Sequence, residues 1–415
     1  MRAGAPLTAA RDRHLAGLAE RDRRLAYELS AGVLRRQRDL DSALELDRAD
    51  PRLHDVLRLG AYQLRWLSRV PSHAAVSTSV ELARETVGEG STGFVNHILR
   101  RVSGARSTEQ GAVQTHPEWL IDRWTSRFGA DETRDLLAWN DRRPVITLQP
   151  ARWDVEQLRS AMRERGIDAT NAPYAAGLQV SAAPCSVLPA LRDFPGYTEG
   201  GFVVQDPAHA LVARFAAIPA GEQVYDACAA PGGKAVALEA HGARVLAGDS
   251  RHERLGRLAD TTRRAGVAIR CLGANLEAAP LRPGSMDAVL VDAPCTATGT
   301  MRRHPDARWR LRPHVFARAA ERQARLLDAA ARLVRPGGGL GGLLIYATCS
   351  LEPEENAQVV EAFLHRHQEF RRTPPPASVP GELLTPAGDF QSLPQRHGID
   401  GAYAARLRHG AGVDR

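Results

Sequence analysis

Residues 223–234 read QVYDACAAPGGK, a short apolar run followed by a turn with two adjacent glycines. The run is typical of a β-strand, and the residues after Lys234 have the pattern of a helix. Glycines at such a junction let a ligand approach the backbone and let the helix present its N-terminus to that ligand. The turn is not a Walker A loop, because Cys228 and Ala235 stand where that motif needs Gly and Ser or Thr. It does not match G-x-G-x-x-G either.

Four more β-rich runs follow, separated by helical stretches. They span residues 243–249, 268–272, 286–292 and 343–348. This alternation predicts a Rossmann-like α/β domain, with a parallel sheet and helices on both faces. Ligands of such folds bind at the carboxyl ends of the strands, so the residues that end each run are the first candidates for a site.

An acid and two cysteines lie at those strand ends. Asp249 ends the second run, where a carboxylate can bind both hydroxyls of a ribose, and where a helix cap is an equally good explanation. With the glycine turn, it suggests an adenosine-bearing cofactor without a long phosphate tail. The runs DAPC (residues 292–295) and ATCS (residues 347–350) place one cysteine after each of two strands. Either cysteine alone would be read as a small buried hydrophobe, but the equivalent positions indicate a shared function. Cys185 and Cys271 lack this context and are interpreted as structural filler.

The N-terminal part of the chain is predicted to be helical. Apolar residues recur at helical spacing from about residue 8 to residue 103. Asp50-Pro51 is a helix-start signal, and Pro71 marks a break between two helices. A polar stretch without periodicity, residues 104–115, is predicted to be a linker. We therefore expect an all-α domain over residues 1–104.

In the middle of the chain, the predicted secondary structure changes at Pro144. Before it, Leu120, Trp124 and Leu136 belong to a helical pattern, and after it short strand and helix signals alternate. Residues 116–200 are therefore predicted to form a helical linker and a small α/β (RRM-like) subdomain. The Rossmann-like domain takes residues 201–415, so the chain as a whole is predicted to be multidomain.

Composition excludes several classes of protein. The 415 residues are 43% hydrophobic, but no apolar run approaches the ~20 residues of a membrane helix. No signal-peptide block follows Met1, and the five cysteines contain no C-x-x-C pair. These features argue against a membrane protein, a secreted disulfide scaffold and a zinc ribbon. We expect a cytoplasmic monomer without a metal site.

Charge adds two observations. The net charge of +7 permits a nucleic-acid partner without demonstrating one. Arginine supplies 54 of the 55 basic residues, and the one lysine is Lys234, inside the glycine turn. A GC-rich genome explains the arginines. The exception indicates a place that does not accept the wider, planar guanidinium.

Together these motifs carry a specific resemblance. DACAAPGGK, DAPC with the following GTMRRHPDARWR, and YATCSLEPEEN resemble the RNA cytosine-C5 methyltransferase family of the Sun/Fmu (RsmB) type. RLGAYQLRWLSRVPSHAAVSTSVELA and GFVNHILRR are similar to the NusB-like RNA-binding domain of that subfamily. HPEWLIDRWTSRFG and HGIDGAYAARL are similar as well. The resemblance covers nearly the whole chain, and the paired cysteine motifs are its most discriminating part.

The resemblance implies a function and a site. It implies S-adenosylmethionine-dependent methylation of small-subunit (16S) rRNA, or of a pre-30S particle, at a cytosine 967-type position. It implies that Cys349 is the nucleophile, that Cys295 helps to release the product, and that Asp292 faces both cofactor and base. The implied cofactor-binding residues are Cys228, Ala229, Ala230, Pro231, Gly232, Gly233, Lys234, Asp249, Asn275 and Asp292.

The chain departs from the family pattern at three places. Asn275 stands where the family often has an aspartate near the adenine, a position that an amide can still serve. Thr296-Ala297 replaces a common Ser-Gly. The glycine-rich stretch 337–342 is longer than usual, which affects the exact placement of Cys349.

The implied chemistry accounts for these residue types. Carbon 5 of cytosine is a poor nucleophile until a thiolate adds to carbon 6, and cysteine is both nucleophilic and partly ionised near neutrality. Asp292 can hydrogen-bond ring N3 and the amino group as charge builds on the ring. The sequence does not identify the base that removes the proton from carbon 5. The target base must be unstacked or already exposed in a loop.

An arginine-rich segment follows the Cys295 motif. Arg302, Arg303, Arg308, Arg310 and Arg312 surround Trp309. A solvated surface turn with a core tryptophan is one interpretation. The position beside the predicted site favours phosphate contacts instead.

Two other functions stay open at this point. The same chemistry on tRNA or on another rRNA position is the close alternative. A non-catalytic NusB-like RNA-binding factor is a third reading, but it gives no use to the pair Cys295 and Cys349.

Overall fold

The computed structural model describes residues 6–104, 115–182, 188–337 and 341–410. The chain divides into two compact units. Unit 1 comprises Met1–Arg142 and Met301–Leu311, and unit 2 comprises Arg143–Thr300 and Arg312–Arg415. This division groups the helices after residue 116 with the N-terminal helices. The domain limits 1–104, 116–200 and 201–415 stay predictions.

The helices have the following bounds: α1 Leu7–His14, α2 Glu20–Arg35, α3 Gln37–Leu44, α4 His54–Trp66, α5 Ser72–Thr86, α6 Thr92–Gly104, α7 Glu118–Phe128, α8 Ala130–Asp141, α9 Val155–Glu164, α10 Pro207–Ala216, α11 Gly233–Ala240, α12 His252–Ala265, α13 Ala307–Arg310, α14 Val315–Ala331, α15 Ala357–Arg366 and α16 Pro394–His397. Among the described residues, no helix combines the length and the apolar character that a bilayer crossing requires.

The strands are β1 Ile146–Pro150, β2 Ile167–Asn171, β3 Leu178–Ala182, β4 Phe202–Val204, β5 Gln223–Asp226, β6 Arg244–Asp249, β7 Arg270–Gly273, β8 Ala288–Asp292, β9 Leu343–Thr348, β10 Phe370–Arg372, β11 Phe390–Ser392 and β12 Ala402–His409. All of them lie in unit 2.

Unit 1 is helical, as predicted. Its core packs Leu40, Leu57 and Leu99, which are completely buried. The Asp50 side chain accepts a hydrogen bond from the backbone N–H of Arg52 and starts the turn that leads into α4, which confirms the helix-start signal. The predicted break at Pro71 separates α4 from α5. The linker assigned to residues 104–115 lies mostly outside the described residues.

A distant stretch of sequence completes unit 1. The chain leaves unit 2 after Thr300, contributes Met301–Leu311 with the short helix α13, and returns to unit 2 at Arg312. Within unit 1, the backbone N–H of Leu7 donates to the carboxylate of Asp306 at 3.1 Å. These residues are 299 positions apart in sequence. Unit 1 is therefore discontinuous in sequence.

Unit 2 begins with the small α/β subdomain. Its four strands form an antiparallel sheet in the order β2-β3-β1-β4. Helix α9 is capped by Asp154, whose side chain accepts from the N–H of Gln157 at 2.8 Å. Leu148, Leu158 and Phe202 fill the core between sheet and helix. The signals after Pro144 predict a strand at residues 145–148, a helix at 155–165 and a strand at 178–180, which correspond to β1, α9 and β3; β2 and β4 were not predicted.

The large sheet has the order β10-β12-β9-β8-β5-β6-β7, with β11 beside β12. The strands from β9 to β7 are parallel and match the five predicted runs. β10, β11 and β12 are antiparallel, so the sheet is mixed at one edge. The five predicted runs are parallel as expected, and the antiparallel edge strands β10, β11 and β12 are an addition that the sequence did not predict. The β12 sequence AYAARLRH is rich in alanine and arginine and lacks a β-branched residue, so it gives a weak strand signal.

Side-chain alternation explains why helices cover both faces of this sheet. Val224 and Ile345 point to one face, where α11 and α12 pack. Tyr225 and Tyr346, the next residue in each strand, point to the other face, where α14 and α15 pack. Because β5, β6, β8 and β9 run parallel, their carboxyl ends lie along one edge of the sheet. The candidate residues lie at that edge.

Candidate active site

The glycine turn connects β5 to α11 at the carboxyl edge of the sheet. Gly232 has φ of +112°, a region of backbone that residues with a Cβ rarely adopt. A Cβ on Gly233 would lie 2.9 Å from the side-chain amide of Gln205. Gly232 is therefore required by its backbone conformation, whereas a Cβ on Gly233 would displace only the end of the flexible Gln205 side chain.

The turn is fixed to the neighbouring strand. The N–H of Ala229 donates to the carbonyl of Gly248 on β6 at 2.8 Å. Ala229 and Ala230 are buried, whereas Pro231 is exposed. The predicted cofactor residues 228–234 thus form one loop, held against the strand that ends in Asp249.

Lys234 is buried and ion-paired. Its Nζ donates to Oδ2 of Asp292 at 2.6 Å and lies 3.1 Å from Nδ1 of His209. The side chain is only 7% exposed. An ammonium is a compact point charge on a slender stem, whereas a guanidinium is wider and planar. This site explains why a chain that otherwise uses arginine keeps a lysine here.

Asp249 keeps one carboxylate oxygen without a hydrogen bond. Oδ1 accepts from the N–H of Arg251 at 2.9 Å. Oδ2 has no hydrogen-bond partner in the described part of the chain, and the guanidinium of Arg254 is 3.5 Å away. Because a buried acceptor without a donor is costly, the side chain is suited to a hydroxyl supplied by a ligand.

Asn275 has a local partner. It follows β7, is exposed, and its Oδ1 accepts from the N–H of Glu277 at 3.2 Å. The side chain therefore caps the short 3₁₀ helix Leu276–Ala278. Its contact with an adenine stays a prediction.

Asp226, the last residue of β5, was not among the residues predicted from sequence. Its carboxylate is buried, and neither oxygen meets hydrogen-bond geometry with a described partner. Burial, and then the charge of Asp292, raise the pKa of Asp226 to about 7. The ammonium of Lys234 and the N–H of Cys228 only partly offset this. The signal was available, because Asp226 ends a strand just as Asp249 and Asp292 do.

The structure brings the two predicted catalytic cysteines together. Cys295 lies in the loop after β8, and Cys349 directly follows β9. These strands are parallel neighbours, with Asp292 in register with Ala347. The two Sγ atoms are 3.1 Å apart, although the residues are 54 positions apart in sequence.

The cysteines differ in environment. Contact with the Cys349 thiol, followed by burial, raises the pKa of Cys295 well above its ordinary value, so Cys295 favours the protonated form. Burial raises the pKa of Cys228 to about 12, which makes it a poor nucleophile. Cys271 is exposed on β7, so its interpretation as buried filler is wrong. Cys185 lies outside the described residues.

A buried carboxylate lies between the two cysteine loops. Glu355 accepts hydrogen bonds from Thr296, the residue after Cys295, and from Ser350, the residue after Cys349. Burial raises the pKa of Glu355, and these hydrogen bonds oppose that shift. The motif YATCSLEPEEN contains this residue, but the sequence analysis gave it no role.

The phosphate-contact interpretation of the arginine segment is wrong for Arg308. Its side chain is completely buried within unit 1. The guanidinium donates to the carboxylate of Asp141 at 2.8 Å and to the carbonyls of Asn140 at 3.0 Å and Thr115 at 3.3 Å. A carboxylate from another helix and two carbonyls thus take the place expected for RNA phosphates.

The same correction applies to Arg302. It is buried, with its guanidinium 4.0 Å from the centre of the Trp139 ring. The indole N–H of Trp309 donates to the carbonyl of Leu34 at 2.7 Å. Arg303 is half-buried, and only Arg310 and Arg312 of the five are exposed.

No metal centre is found in the ranges that the structure describes. They contain no group of three or more histidine, cysteine, aspartate or glutamate side chains placed to hold an ion.

Comparison with known families matches three parts of the chain. The model described as "16S rRNA methyltransferase RsmB/F" matches residues 215–408. The NusB family matches residues 3–104. A ferredoxin-like domain of RsmF/B-like methyltransferases matches residues 116–187.

Individual proteins match over nearly the full length. "Probable ribosomal RNA small subunit methyltransferase B" of Synechocystis is 33% identical, over 94% of this chain and 92% of its own. "Ribosomal RNA small subunit methyltransferase B" of Thermus thermophilus is 36% identical, over 94% and 89%. The crystal structure of PH0851 is 26% identical, with a TM-score of 0.77 over 94% and 91%. Sequence and fold are therefore both shared with these proteins.

Proposed function

Since the chain belongs to the RsmB/F family of 16S rRNA methyltransferases, we propose that it methylates carbon 5 of one cytosine in that RNA through a covalent adduct between Cys349 and carbon 6. It is an rRNA methyltransferase that uses S-adenosylmethionine. We assign the target to a cytosine 967-type position. The observation that carries the adduct chemistry is the 3.1 Å contact between the Cys295 and Cys349 sulfurs, at the strand ends next to Asp292.

The strand ends fit the cofactor. Asp249 offers a buried carboxylate oxygen that accepts no hydrogen bond from the described residues, which suits a ribose hydroxyl. The loop 228–234 has glycines where a Cβ would crowd its neighbours. When bound, S-adenosylmethionine supplies an electrophilic methyl group. The residues that would hold it are those of the loop, with Asp249, Asn275 and Asp292.

The attack begins at Cys349. Its thiolate forms a bond from Sγ to carbon 6 of the cytosine, and the electron pair of the C5=C6 bond moves into the ring and makes carbon 5 nucleophilic. Asp292 accepts a hydrogen bond from the amino group and, when its carboxyl group carries a proton, donates a hydrogen bond to N3, which stabilises the charge on the ring. The buried ammonium of Lys234 holds the Asp292 carboxylate in place.

Release reverses the addition. Once carbon 5 carries the methyl group, its proton goes to a base, the C5=C6 double bond re-forms, and the bond from Sγ to carbon 6 breaks. Cys349 then leaves as a thiolate. The protonated Cys295, 3.1 Å away, donates a hydrogen bond to that sulfur and stabilises its charge. This gives Cys295 a role in release and none in attack.

Trapping the adduct tests the two roles. Cys349→Ala should lose methylation and keep S-adenosylmethionine binding. Cys295→Ala should attack the base but fail to release it, so RNA should migrate with the protein on a denaturing gel. The double variant should lose the adduct, since no attacking thiol is left. The opposite pattern, with Cys349→Ala trapping RNA, would assign the attack to Cys295.

Bisulfite sequencing of rRNA identifies the target. We expect the 5-methylcytosine signal to disappear at one position of 16S rRNA in a deletion strain and to return with the wild-type gene. A signal lost from tRNA or from another rRNA position would replace the proposed substrate. Unchanged signals in all RNAs would favour a non-catalytic RNA-binding factor. We further propose that the enzyme acts in the cytoplasm as a monomer, on 16S rRNA or a pre-30S particle.

A further inference from the structure

The carboxylate of Glu355 accepts four hydrogen bonds, two at each oxygen. Oε2 accepts the backbone N–H of Thr296 at 3.0 Å and the side-chain amide of Gln323 at 2.8 Å. Oε1 accepts the hydroxyl of Ser350 at 2.6 Å and, in a shorter contact, the hydroxyl of Thr296. Complete satisfaction of its acceptors rigidifies such a network.

The donors come from both cysteine loops. Thr296 is bonded to Cys295 in the chain, and Ser350 is bonded to Cys349. One residue spans about 3.8 Å between Cα atoms, so fixing Thr296 and Ser350 limits the travel of both sulfurs. Glu355 itself is anchored, because its carbonyl accepts from the hydroxyl of Tyr346 at 2.6 Å.

Glu355 cannot act on substrate directly. Its side chain is completely buried, so neither RNA nor cofactor can touch it in this conformation. Among the described residues, none of its hydrogen-bond donors is a cation, and a buried carboxylate without a cationic donor is a costly group to keep. A structural effect of Glu355 on the two neighbouring cysteine loops would account for a buried carboxylate at this position.

We infer that Glu355 is a positioning residue: by binding the residue that follows each cysteine, it holds the Cys295 and Cys349 sulfurs at contact distance. The inference rests on the proposed function, because it concerns the same two thiols. It goes beyond that function by naming the group that sets the distance between them.

Two substitutions of Glu355 distinguish the effect of its hydrogen bonds on the cysteine positions from the effect of its negative charge. Glu355→Ala removes all four acceptor contacts. Glu355→Gln keeps a carbonyl oxygen for the N–H of Thr296 and the amide of Gln323, and directs its NH₂ at two hydroxyls, which can accept as well as donate. The matched control is Glu321→Ala, an exposed glutamate on the same helix as Gln323.

Disulfide formation measures the thiol separation without RNA or cofactor. Diamide accepts the two thiol hydrogens and becomes the hydrazine, while the two sulfurs form one bond; peptide mapping identifies the Cys295–Cys349 pair. We expect rapid cross-linking in wild type, Glu355→Gln and Glu321→Ala. In Glu355→Ala we expect it to slow by about 10²-fold, the typical effect of a misplacement of about 1 Å. Cross-linking of Glu355→Ala at the wild-type rate would overturn the inference.

Steady-state kinetics provide the second readout. Glu355→Ala should lower kcat by about 10²-fold and leave the KM for RNA within about threefold, because positioning acts after binding. Glu355→Gln should restore kcat. A Glu355→Gln enzyme as impaired as Glu355→Ala would show that the charge matters and the position does not, which contradicts the inference.

Single-contact variants keep the test valid if Glu355→Ala does not fold. Thr296→Val and Ser350→Ala each remove one hydroxyl, and the backbone bond from Gly299 N–H to the Cys349 carbonyl at 2.9 Å stays in both. Each should slow the cross-linking by several-fold, and unchanged rates in both would refute the inference. Wild-type protein that cross-links as expected but does not methylate RNA would refute the proposed function and leave this inference standing.

Discussion

Two neighbouring stretches of the chain belong to different units. They are the loop 294–297 and the segment Met301–Leu311, which are only a few residues apart. The loop stays in unit 2 at the carboxyl edge of the sheet, where Cys295 meets Cys349. The segment belongs to unit 1, where Arg302 and Arg308 are buried. Both stretches carry residue types that suggest function from sequence alone.

The difference lies in what each residue type can bond to inside a protein. A cysteine at a strand end has few internal partners, so its place beside another cysteine is informative. An arginine has five N–H donors, and carbonyls, carboxylates and aromatic rings all satisfy them as well as phosphates do. In this arginine-rich chain, a cluster of arginines therefore says little about RNA. We expect substitutions in the loop to change activity and those in the segment to change stability.

The largest effect should follow Cys349→Ala. Loss of the nucleophile should reduce methyl transfer by at least about 10⁴-fold. The free energy of unfolding should stay within about 1 kcal/mol, since only one half-buried sulfur is removed. Methyl incorporation and urea unfolding measure the two quantities. Cys271→Ala, at an exposed cysteine, is the control. Residual activity near the wild-type level would remove Cys349 from the site.

Arg308→Met should lower the free energy of unfolding by about 3–5 kcal/mol, because the carboxylate of Asp141 loses its buried partner. Denaturant unfolding checks this. Arg325→Met, at an exposed arginine 3.6 Å from Glu277, should change stability by no more than about 1 kcal/mol. Equal, small effects of both substitutions would break the comparison, because Arg308 would then be no more structural than a surface arginine.

Asp226 should make stability depend on pH. Its pKa is about 7 in the folded protein, above its ordinary value of 3.8. Between these values the unfolded chain loses a proton that the native state keeps, so stability falls as pH rises, by about 1.4 kcal/mol per unit. The contribution is complete below pH 3.8 and lost above about 7.

Asp226→Asn tests this dependence in the cofactor-free protein. The difference in unfolding free energy between variant and wild type should change steadily from pH 4 to 7, in favour of the variant, and stay constant above pH 7. Asp260→Asn, at an exposed aspartate on α12, should show no such trend. Parallel curves for wild type and Asp226→Asn would contradict the raised pKa.

Asp249→Ala should weaken S-adenosylmethionine binding by about 10- to 100-fold, since a hydrogen bond to a charged acceptor contributes about 1.5–3 kcal/mol. Isothermal titration calorimetry measures the Kd directly. Asp260→Ala, on the exposed face of the following helix, should bind like wild type. An unchanged affinity of Asp249→Ala would refute the ribose assignment and leave a structural role for this residue.

The smallest effect should come from Arg302→Met. Loss of the guanidinium over the Trp139 ring should cost about 0.5–2 kcal/mol of stability. The salt dependence of RNA binding should not change, whereas removal of a phosphate contact lowers its slope by about 1. Anisotropy titrations of labelled rRNA at several salt concentrations measure that slope. A lower slope would restore the phosphate interpretation.

Features that depend on short stretches of sequence, such as the five parallel strands and two helix boundaries, were predicted correctly. Short β-rich runs separated by helical stretches located the five parallel strands, and the rule for strand ends pointed to Asp249, Asp292 and both cysteines. The same rule applies to Asp226, which was not among the predicted site residues. Helix signals located Asp50 and Pro71 correctly.

Non-local pairing decided the rest. The contact between Cys295 and Cys349 requires β8 and β9 to be neighbours, which no spacing in the sequence specifies. The partner of Arg308 is Asp141, 167 positions away. The antiparallel β12 is held by its pairing with β9, despite a composition of weak strand propensity. Each of these outcomes depends on residues that a sequence window does not contain.

The discontinuity of unit 1 has a consequence for synthesis on the ribosome. The helices up to Arg142 emerge early, but the segment Met301–Leu311 that completes the unit emerges only when three quarters of the chain has been made. At about 5–20 residues per second, the delay is roughly 10–30 s. During that interval Asp141 lacks the buried Arg308 and keeps only the more distant Arg36, 3.8 Å away. We expect nascent unit 1 to stay sensitive to protease until Arg308 has left the exit tunnel, and a gene fragment that ends at residue 142 to encode an incomplete fold.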